Sequence, residues 1–286
     1  MNILIDIQQK IDSFTSTEKL IGEFILNHPK AVISMTSEQF ASKIHVSTAS
    51  LVRFSRTIGL SGLTELKQRL SASVTDLNNA EYLKEVGKDD SVNNIKNKIS
   101  VRIRHMTDKT NELLDDDEIT KSVNLIHKST NIFVYGIGAS GLVAQDLFQK
   151  FSRVGKHFIF VEDIHVLVTA MSAITDNTCI ILISNSGETS EIVDIAKTAI
   201  DLGMSVISIT GNPKSKLADS SNIVLLSESG ESIKFRTAAT ISLMAQLYVV
   251  DILFYRFVSL NFENSMLSIN KSHSIARSFD KDDTVK

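Results

Sequence analysis

The sequence predicts an α/β protein in which an all-helical N-terminal domain precedes a parallel β-sheet covered by helices on both faces. The first seventy or so of the 286 residues carry apolar side chains at helical spacing and contain no convincing strand. Farther along, helical segments separate the first four of five apolar runs, which read NIFVYG, HFIFV, CIILIS, SVISIT and NIVLL. This alternation is typical of a parallel sheet with both faces covered. At this length two domains are expected.

Changes of pattern along the chain define three segments. Residues 1–75 form the helical domain, residues 76–130 a helical connector, and residues 131–286 the sheet domain. Within the connector, apolar residues at three-and-four spacing predict a long amphipathic helix, followed by a second helix to about Lys128. A long apolar helix is expected from Phe235 to Leu260, and no element is assigned to the polar tail beyond it.

A helix-turn-helix motif is predicted inside the helical domain. Thr36 or Ser37 can cap a helix that runs through Lys43, and after a three-residue link Ser47 can cap a second helix that continues to Ile58. Gly59 then allows the backbone to turn. Such an arrangement places the second helix in the major groove of DNA. An ordinary antiparallel helix pair with a polar outer face is the alternative.

The second helix of this motif has one face suited to DNA. Ala49, Val52 and Ile58 are expected to pack on the helical bundle. The opposite side carries hydroxyl and guanidinium groups, which bond phosphates and base edges, and the predicted DNA-binding residues are Ser47, Thr48, Ser50, Arg53 and Arg56.

The distribution of charge agrees with a nucleic-acid partner. The net charge is −3, but residues 1–75 hold eight Lys/Arg against six Asp/Glu. Between residues 41 and 75 the only acid is Glu65, which is outnumbered by Lys43, Arg53, Arg56, Lys67 and Arg69. A local basic surface of this kind favours DNA, although a solvated helix face has the same composition.

A glycine-rich turn follows the first predicted strand. Gly136, Gly138 and Gly141 have the spacing G-x-G-x-x-G between a strand and a helix, which is the pattern of a dinucleotide cradle. Glu162, at the end of the second strand, stands where a Rossmann enzyme binds the ribose. A dinucleotide-binding enzyme is therefore one alternative for the sheet domain.

A second loop, ISNSGETSE, favours a phosphate monoester instead. Ser184, Ser186 and Thr189 supply three hydroxyls, Gly187 permits close approach, and the following helix directs free N–H groups above the sheet. Neutral donors at a helix N-terminus can stabilise a phosphate dianion without Lys or Arg. Both loops, with Ser140 in the first, lie at the carboxyl ends of strands, where open α/β sheets bind ligands. Helix capping alone is the structural alternative.

These two regions resemble known families. The pair GIGAS and SNSGET is similar to the SIS (sugar isomerase) domain, and VSTASLVRFSRTIGLSG resembles the helix-turn-helix of the RpiR/MurR transcription regulators, which join the two modules in this order. The resemblance covers nearly the whole chain. It implies a five-stranded parallel three-layer αβα sandwich (SIS fold), a homodimer formed largely through the SIS domains, or a tetramer, and a phosphorylated sugar or amino sugar as effector.

The function expected on this basis is that of a transcriptional repressor of sugar or amino-sugar catabolism genes. A phosphosugar would modulate its binding to a roughly palindromic operator, and N-acetylmannosamine 6-phosphate is favoured because His165 and the neighbouring acids suit an amino sugar. The expected effector contacts are Gly138, Ser140, His165, Ser184, Ser186, Gly187, Thr189 and Glu231.

An isomerase or lyase of the SIS type is the enzymatic alternative. Acids and a histidine that could move protons stand near predicted loop ends, namely Glu162, Asp163, His165, Glu188, Glu228 and Glu231. The attached DNA-reading module favours a sensor without catalytic residues, cofactor or metal. The single cysteine and the lack of a leader or membrane-spanning run are consistent with a cytoplasmic protein that does not bind membranes.

Overall fold

The computed structural model describes residues 2–76, 86–173, 177–230 and 239–280. Contacts divide the described chain into two compact units. The first contains the residues up to Asp108, and the second contains Lys109–Ser229 together with the residues from Ala239 onward. Each unit has its own hydrophobic core.

The first unit is helical throughout its described part. Its helices are α1 (Ile3–Lys10), α2 (Ser16–Asn27), α3 (Pro29–Ser34), α4 (Ser37–Lys43), α5 (Thr48–Thr57), α6 (Leu63–Asp76) and the larger part of α7 (Val92–Leu113). Capping boxes at Thr15 with Glu18 and at Thr36 with Gln39 set the starts of α2 and α4, and Pro29 opens α3. The predicted helix-turn-helix is thus present as α4, a short link and α5.

The core of this unit comes from the periodic apolar residues. Ile3, Ile7, Ile21 and Ile25 are fully buried, as their helical spacing predicts. Phe54 of α5 is also fully buried, and its ring meets that of Phe14 edge-on with centroids 5.4 Å apart. Helix α5 is therefore fixed to the bundle by one of its faces.

The second unit alternates strands and helices. After α8 (Asp116–Lys128) the elements are β1 (Asn131–Gly136), α9 (Ala139–Phe151), β2 (His157–Phe160), α10 (Ile164–Ala173), β3 (Thr178–Ile183), α11 (Ser190–Asp201), β4 (Ser205–Thr210), α12 (Lys216–Asp219), β5 (Ile223–Leu226), α13 (Ile241–Leu260) and α14 (Phe262–Asp280). All five predicted strands are present.

The strands form one parallel sheet in the order β2-β1-β3-β4-β5. Side chains of β1 and β3 alternate between two cores. Val134 and Ile181 join α8, α9 and α13 on one face, whereas Phe133 and Ile180 join α10, α11 and α12 on the other. The three-layer αβα sandwich is confirmed.

The structure defines two helices in the C-terminal region. The apolar helix begins at Ile241, and the residues from 231 to 238, which include the expected start at Phe235, lie outside the described part of the chain. The polar tail, to which the sequence assigned no element, forms α14. Among the described helices, α13 alone is long and apolar enough to cross a membrane, but core helices pass the same test. Its Val249, Val250 and Leu253 are fully buried in the sheet core.

Replacing Phe54 should selectively destabilise the first unit. Phe54→Ala deletes a fully buried ring and is expected to cost about 3–5 kcal/mol of unfolding free energy, measured by urea denaturation. Val52→Ala, two residues away on the exposed side of α5, is the matched control and should change stability by less than about 1 kcal/mol. Equal losses for the two variants would contradict the burial of Phe54 in the core of this unit.

Candidate functional site

The carboxyl ends of β1 and β3 bring the two predicted ligand loops side by side. Gly136 pairs with Ile183 at the end of the shared ladder, so the loops that begin at Ile137 and Ser184 leave the sheet from neighbouring strands. After the first loop, α9 leads to β2, which lies on one side of the β1–β3 pair. After the second loop, α11 leads to β4, which lies on the other side. A strand order that reverses direction in this way opens a crevice between the loops.

The first loop is built by close packing of backbone. A Cβ atom on Gly136 would lie 2.5 Å from the carbonyl oxygen of Ser140, so only glycine lets α9 start this close to β1. Gly138 has a φ of 62° and stands in open space. Ser140, in the first turn of α9, is 9% exposed and donates a hydrogen bond to Gln246 of α13 over 3.2 Å.

The second loop presents its hydroxyls within a folded turn. The Ser184 hydroxyl accepts from the N–H of Gly187 at 3.2 Å and lies 3.5 Å from the hydroxyl of Thr189. The exposed Ser186 hydroxyl accepts from the N–H of Glu188. Thr189 is the N-cap residue of α11, but its side chain makes no capping bond. Capping of α11 by Thr189 therefore does not account for the three hydroxyls.

The loop after β4 supports the second loop from the side. The carbonyl of Gly187 accepts from the N–H of Leu217 at 3.0 Å. A Cβ on Gly187, whose φ is 65°, would lie 2.1 Å from Oγ of Ser215. The Glu188 carboxylate accepts from the N–H of Lys216 at 3.1 Å and pairs with its ammonium at 2.9 Å.

Two of the candidate acids are held as carboxylates. The side-chain and backbone bonds from Lys216 lower the pKa of Glu188. The N–H groups of Val166 and His165 lower the pKa of Asp163, which caps the start of α10. Groups that stay ionised at neutral pH are poor general acids, and carboxylates engaged in this way are weak bases.

The remaining candidates are spread along the same edge of the sheet. His165 is exposed in the first turn of α10, beyond β2, and Glu162 is exposed just before it. Glu228, after β5, is 6% exposed, and its N–H donates to the Thr110 hydroxyl at 3.1 Å. Glu231 lies outside the described residues. In the described ranges no group of three or more His, Cys, Asp or Glu side chains could bind a metal ion.

Sequence reasoning missed three polar groups at this edge. Gln246 Nε2, Asn185 Oδ1 and Ser227 Oγ are buried without a hydrogen-bond partner in the described chain. Gln246 was overlooked because the residues around it in α13 are apolar. A single amide in such a run indicates a buried polar group that needs a hydrogen-bond partner. Asn185 lies in the loop after β3, and Ser227 directly follows the last strand.

The outer surface of the predicted DNA helix carries several polar side chains. The Ser47 hydroxyl caps α5 by accepting from the N–H of Ser50 at 3.1 Å, and the hydroxyls of these two serines are 2.9 Å apart. Arg53 donates to the Ser50 hydroxyl at 3.1 Å. Thr48 and Arg56 are exposed near the start and end of the same helix. All five predicted DNA-binding residues therefore lie at the surface of one helix.

Two details of this surface differ from expectation. Ala49 and Val52 are exposed, whereas Leu51, Phe54 and Ser55 face the core. The prediction was wrong for Ala49 and Val52 because the buried stripe follows the three-and-four spacing from Leu51 through Phe54 to Ile58, which is buried as expected.

Part of the basic segment has internal partners. Lys67 donates to the carbonyl of Met35, and Arg69 pairs with Glu65 at 3.1 Å. These two cations therefore stabilise the bundle. Of the five cations in this segment, Lys43, Arg53 and Arg56 are exposed.

Comparison with known proteins follows this division of the chain. Residues 1–76 match the model described as "Helix-turn-helix domain, rpiR family", and residues 125–256 match the SIS domain. An uncharacterized HTH-type transcriptional regulator of Thermotoga maritima is 33% identical over 274 residues, covering 95% of this chain and 97% of the relative. The chain belongs to the RpiR family of helix-turn-helix transcriptional regulators.

Solved structures match this RpiR-family chain at the level of the fold. The Vibrio vulnificus NanR protein complexed with ManNAc-6P has a TM-score of 0.61 and 21% identity, with 97% of this chain and 99% of NanR covered. The sugar isomerase domain of an RpiR transcription factor from Sphaerobacter thermophilus has a TM-score of 0.55 and 16% identity, covering 62% of this chain and 96% of that domain.

Adding a methyl group to Gly187 should disrupt the second loop. Gly187→Ala combines a positive φ with a clash against Ser215, and we expect a loss of about 3–5 kcal/mol in urea unfolding of the second unit, because backbone strain and overpacking each cost about 1–3 kcal/mol. Gly203→Ala in the same unit is the matched control, because its φ of 78° is also positive but no atom lies within 4 Å of the added Cβ. Its smaller expected cost, about 1–2 kcal/mol, is conformational only. A control as damaging as Gly187→Ala would rule out the clash as the cause.

Proposed function

We propose that this RpiR-family regulator binds a phosphosugar in the crevice between the loops after β1 and β3, and that the bound sugar changes its affinity for a roughly palindromic operator. The observation that carries the proposal is the side-by-side placement of two hydroxyl-bearing loops where the strand order reverses. Ser184, Ser186 and Thr189 would bind the phosphate with the N-terminus of α11, and Ser140 would contact the other side of the ligand. Gly138 and Gly187 would let the backbone approach it.

A phosphate monoester suits the charge of this loop. Glu188 would repel a dianion, but its carboxylate is paired with the ammonium of Lys216 at 2.9 Å. Neutral hydroxyls and helix N–H groups then dominate the surface that the phosphate would meet, and such donors bind anions well. The exposed His165, in the first turn of the helix α10 that follows β2, would contact the sugar, and Glu231 remains part of the proposed contact set.

N-acetylmannosamine 6-phosphate is the first effector to test. NanR, whose fold matches over 97% of this chain, was solved with that sugar phosphate, and an amino sugar also suits His165 with the neighbouring acids. Glucosamine 6-phosphate, N-acetylmuramic acid 6-phosphate and pentose phosphates fit the same loops and belong in the same panel.

Sensing is favoured over catalysis. An isomerase needs a base or acid whose pKa lies near neutrality and which is free to reach the sugar carbons. Asp163 is occupied in capping α10, Glu188 is occupied by Lys216, and the pKa of each is lowered. The name of the matched Sphaerobacter domain keeps a sugar isomerase as the second candidate.

Regulation would follow from linkage between the two binding events. A sugar phosphate can shift DNA affinity only if it prefers one arrangement of a homodimer, or of a tetramer, over another. We propose repression of sugar or amino-sugar catabolism genes, relieved by the ligand in the cytoplasm. The spacing of two α5 helices must match one or more turns of DNA in the arrangement that binds the operator.

Arg53 should be needed for DNA and dispensable for sugar. Arg53→Ala is expected to weaken binding to a duplex selected from a random library by about ten- to a hundredfold, since a good base or phosphate contact contributes about 1–3 kcal/mol. Fluorescence anisotropy measures this at fixed salt. Lys19→Ala, an exposed cation on α2, should leave the affinity nearly unchanged. Retained affinity in the Arg53 variant would remove α5 from the proposed interface.

Ser186 should be needed for the ligand response and dispensable for DNA. The native protein is expected to melt at a higher temperature with one or more members of the phosphosugar panel, because only a ligand that prefers the folded state stabilises it. Ser186→Ala should weaken that binding about tenfold through loss of a phosphate contact while operator affinity without ligand stays the same. Ser172→Ala, which removes an exposed hydroxyl in the last turn of α10 and away from both loops, is the control. Conversion of the sugar phosphate in the same mixtures would favour the isomerase instead.

A further inference from the structure

Gln246 is a buried amide with one end unsatisfied. It lies near the start of α13 and is 1% exposed. The Ser140 hydroxyl donates to Gln246 Oε1, whereas Gln246 Nε2 has no hydrogen-bond partner in the described chain. Turning the amide over exchanges its two ends, but in either orientation Ser140 bonds one end and the other stays unpaired. A buried amide group without a partner is rare and destabilising.

Two more unsatisfied groups lie along the same edge of the sheet. Asn185 Oδ1 is in the loop after β3, and Ser227 Oγ follows β5. With Gln246 they provide an amide donor, an amide acceptor and a hydroxyl. A phosphate dianion offers only acceptors, whereas sugar hydroxyls both donate and accept. The set therefore matches the polyhydroxylated part of a ligand better than its phosphate.

We propose that Gln246 is a specificity-determining residue of the effector site, whose free amide end bonds an oxygen of the sugar while its other end holds the Ser140 hydroxyl in place. This inference rests on the proposed function. It makes α13 a third wall of the site, beside the loops after β1 and β3.

The test separates recognition of the sugar from recognition of phosphate. Gln246→Met keeps the length of the side chain and removes the amide. In the full-length protein, calorimetry with N-acetylmannosamine 6-phosphate should show binding weakened about tenfold. The dissociation constant of inorganic phosphate, measured by its competition with the sugar phosphate, should change by less than about twofold. Ser265→Ala removes another buried, unpaired hydroxyl, in α14, and should leave both measurements unchanged.

A double-mutant cycle shows whether Gln246 acts only through Ser140. If it bonds the sugar directly, Gln246→Met combined with Ser140→Ala should bind the sugar phosphate more weakly than Ser140→Ala alone. The inference is overturned if the double variant is no weaker, if inorganic phosphate weakens equally, or if Gln246→Met has no effect. If the Met variant does not fold, Gln246→Asn, whose side chain is one carbon shorter, replaces it in the same binding measurements with the same expected results. Native protein that binds no member of the panel would instead refute the proposed function.

Discussion

The parallel pairing of β1 with β3 is the constraint on which the candidate site depends. The register of this pair places Gly136 opposite Ile183. The connections that follow run in opposite directions across the sheet, because β2 lies on the outer side of β1 and β4 lies on the outer side of β3. Since α9 and α11 pack on opposite faces of the sheet, their N-termini cannot close over each other. The crevice is therefore a consequence of topology. The hydroxyls of the two loops provide hydrogen-bonding groups within it.

Two glycines and one ion pair determine the shape and the charge of this crevice. Because Gly136 has no side chain, α9 can begin close to β1. Because Gly187 has no side chain, the second loop can pack against Ser215. The ammonium of Lys216 offsets the negative charge of the Glu188 carboxylate on a surface otherwise made of neutral donors. An anion bound there would be stabilised by dipoles and hydroxyls, which distinguish ligands by geometry more than by charge.

Local sequence signals were sufficient for most of the fold. Caps such as Thr36 and Ser47, together with apolar periodicity, located α4, α5 and all five strands. Exposure of Val52 was missed because an apolar side chain was assigned to the core by type, whereas helical geometry fixes the buried face from Leu51. Helix α14 has few periodic apolar residues, and the partners of Gln246 depend on tertiary contacts that a sequence does not display.

The anchoring of α5 limits how an effector could act on DNA binding. Its start is capped by Ser47, its middle is locked into the core by Leu51 and Phe54, and near its end Thr57 donates to Glu18 of α2 at 2.7 Å. Unwinding this helix would expose those buried side chains and break the bond to α2, which a modest ligand preference could not offset. An effector is therefore expected to change the placement of whole α5 helices relative to one another, with each helix remaining intact in its own bundle.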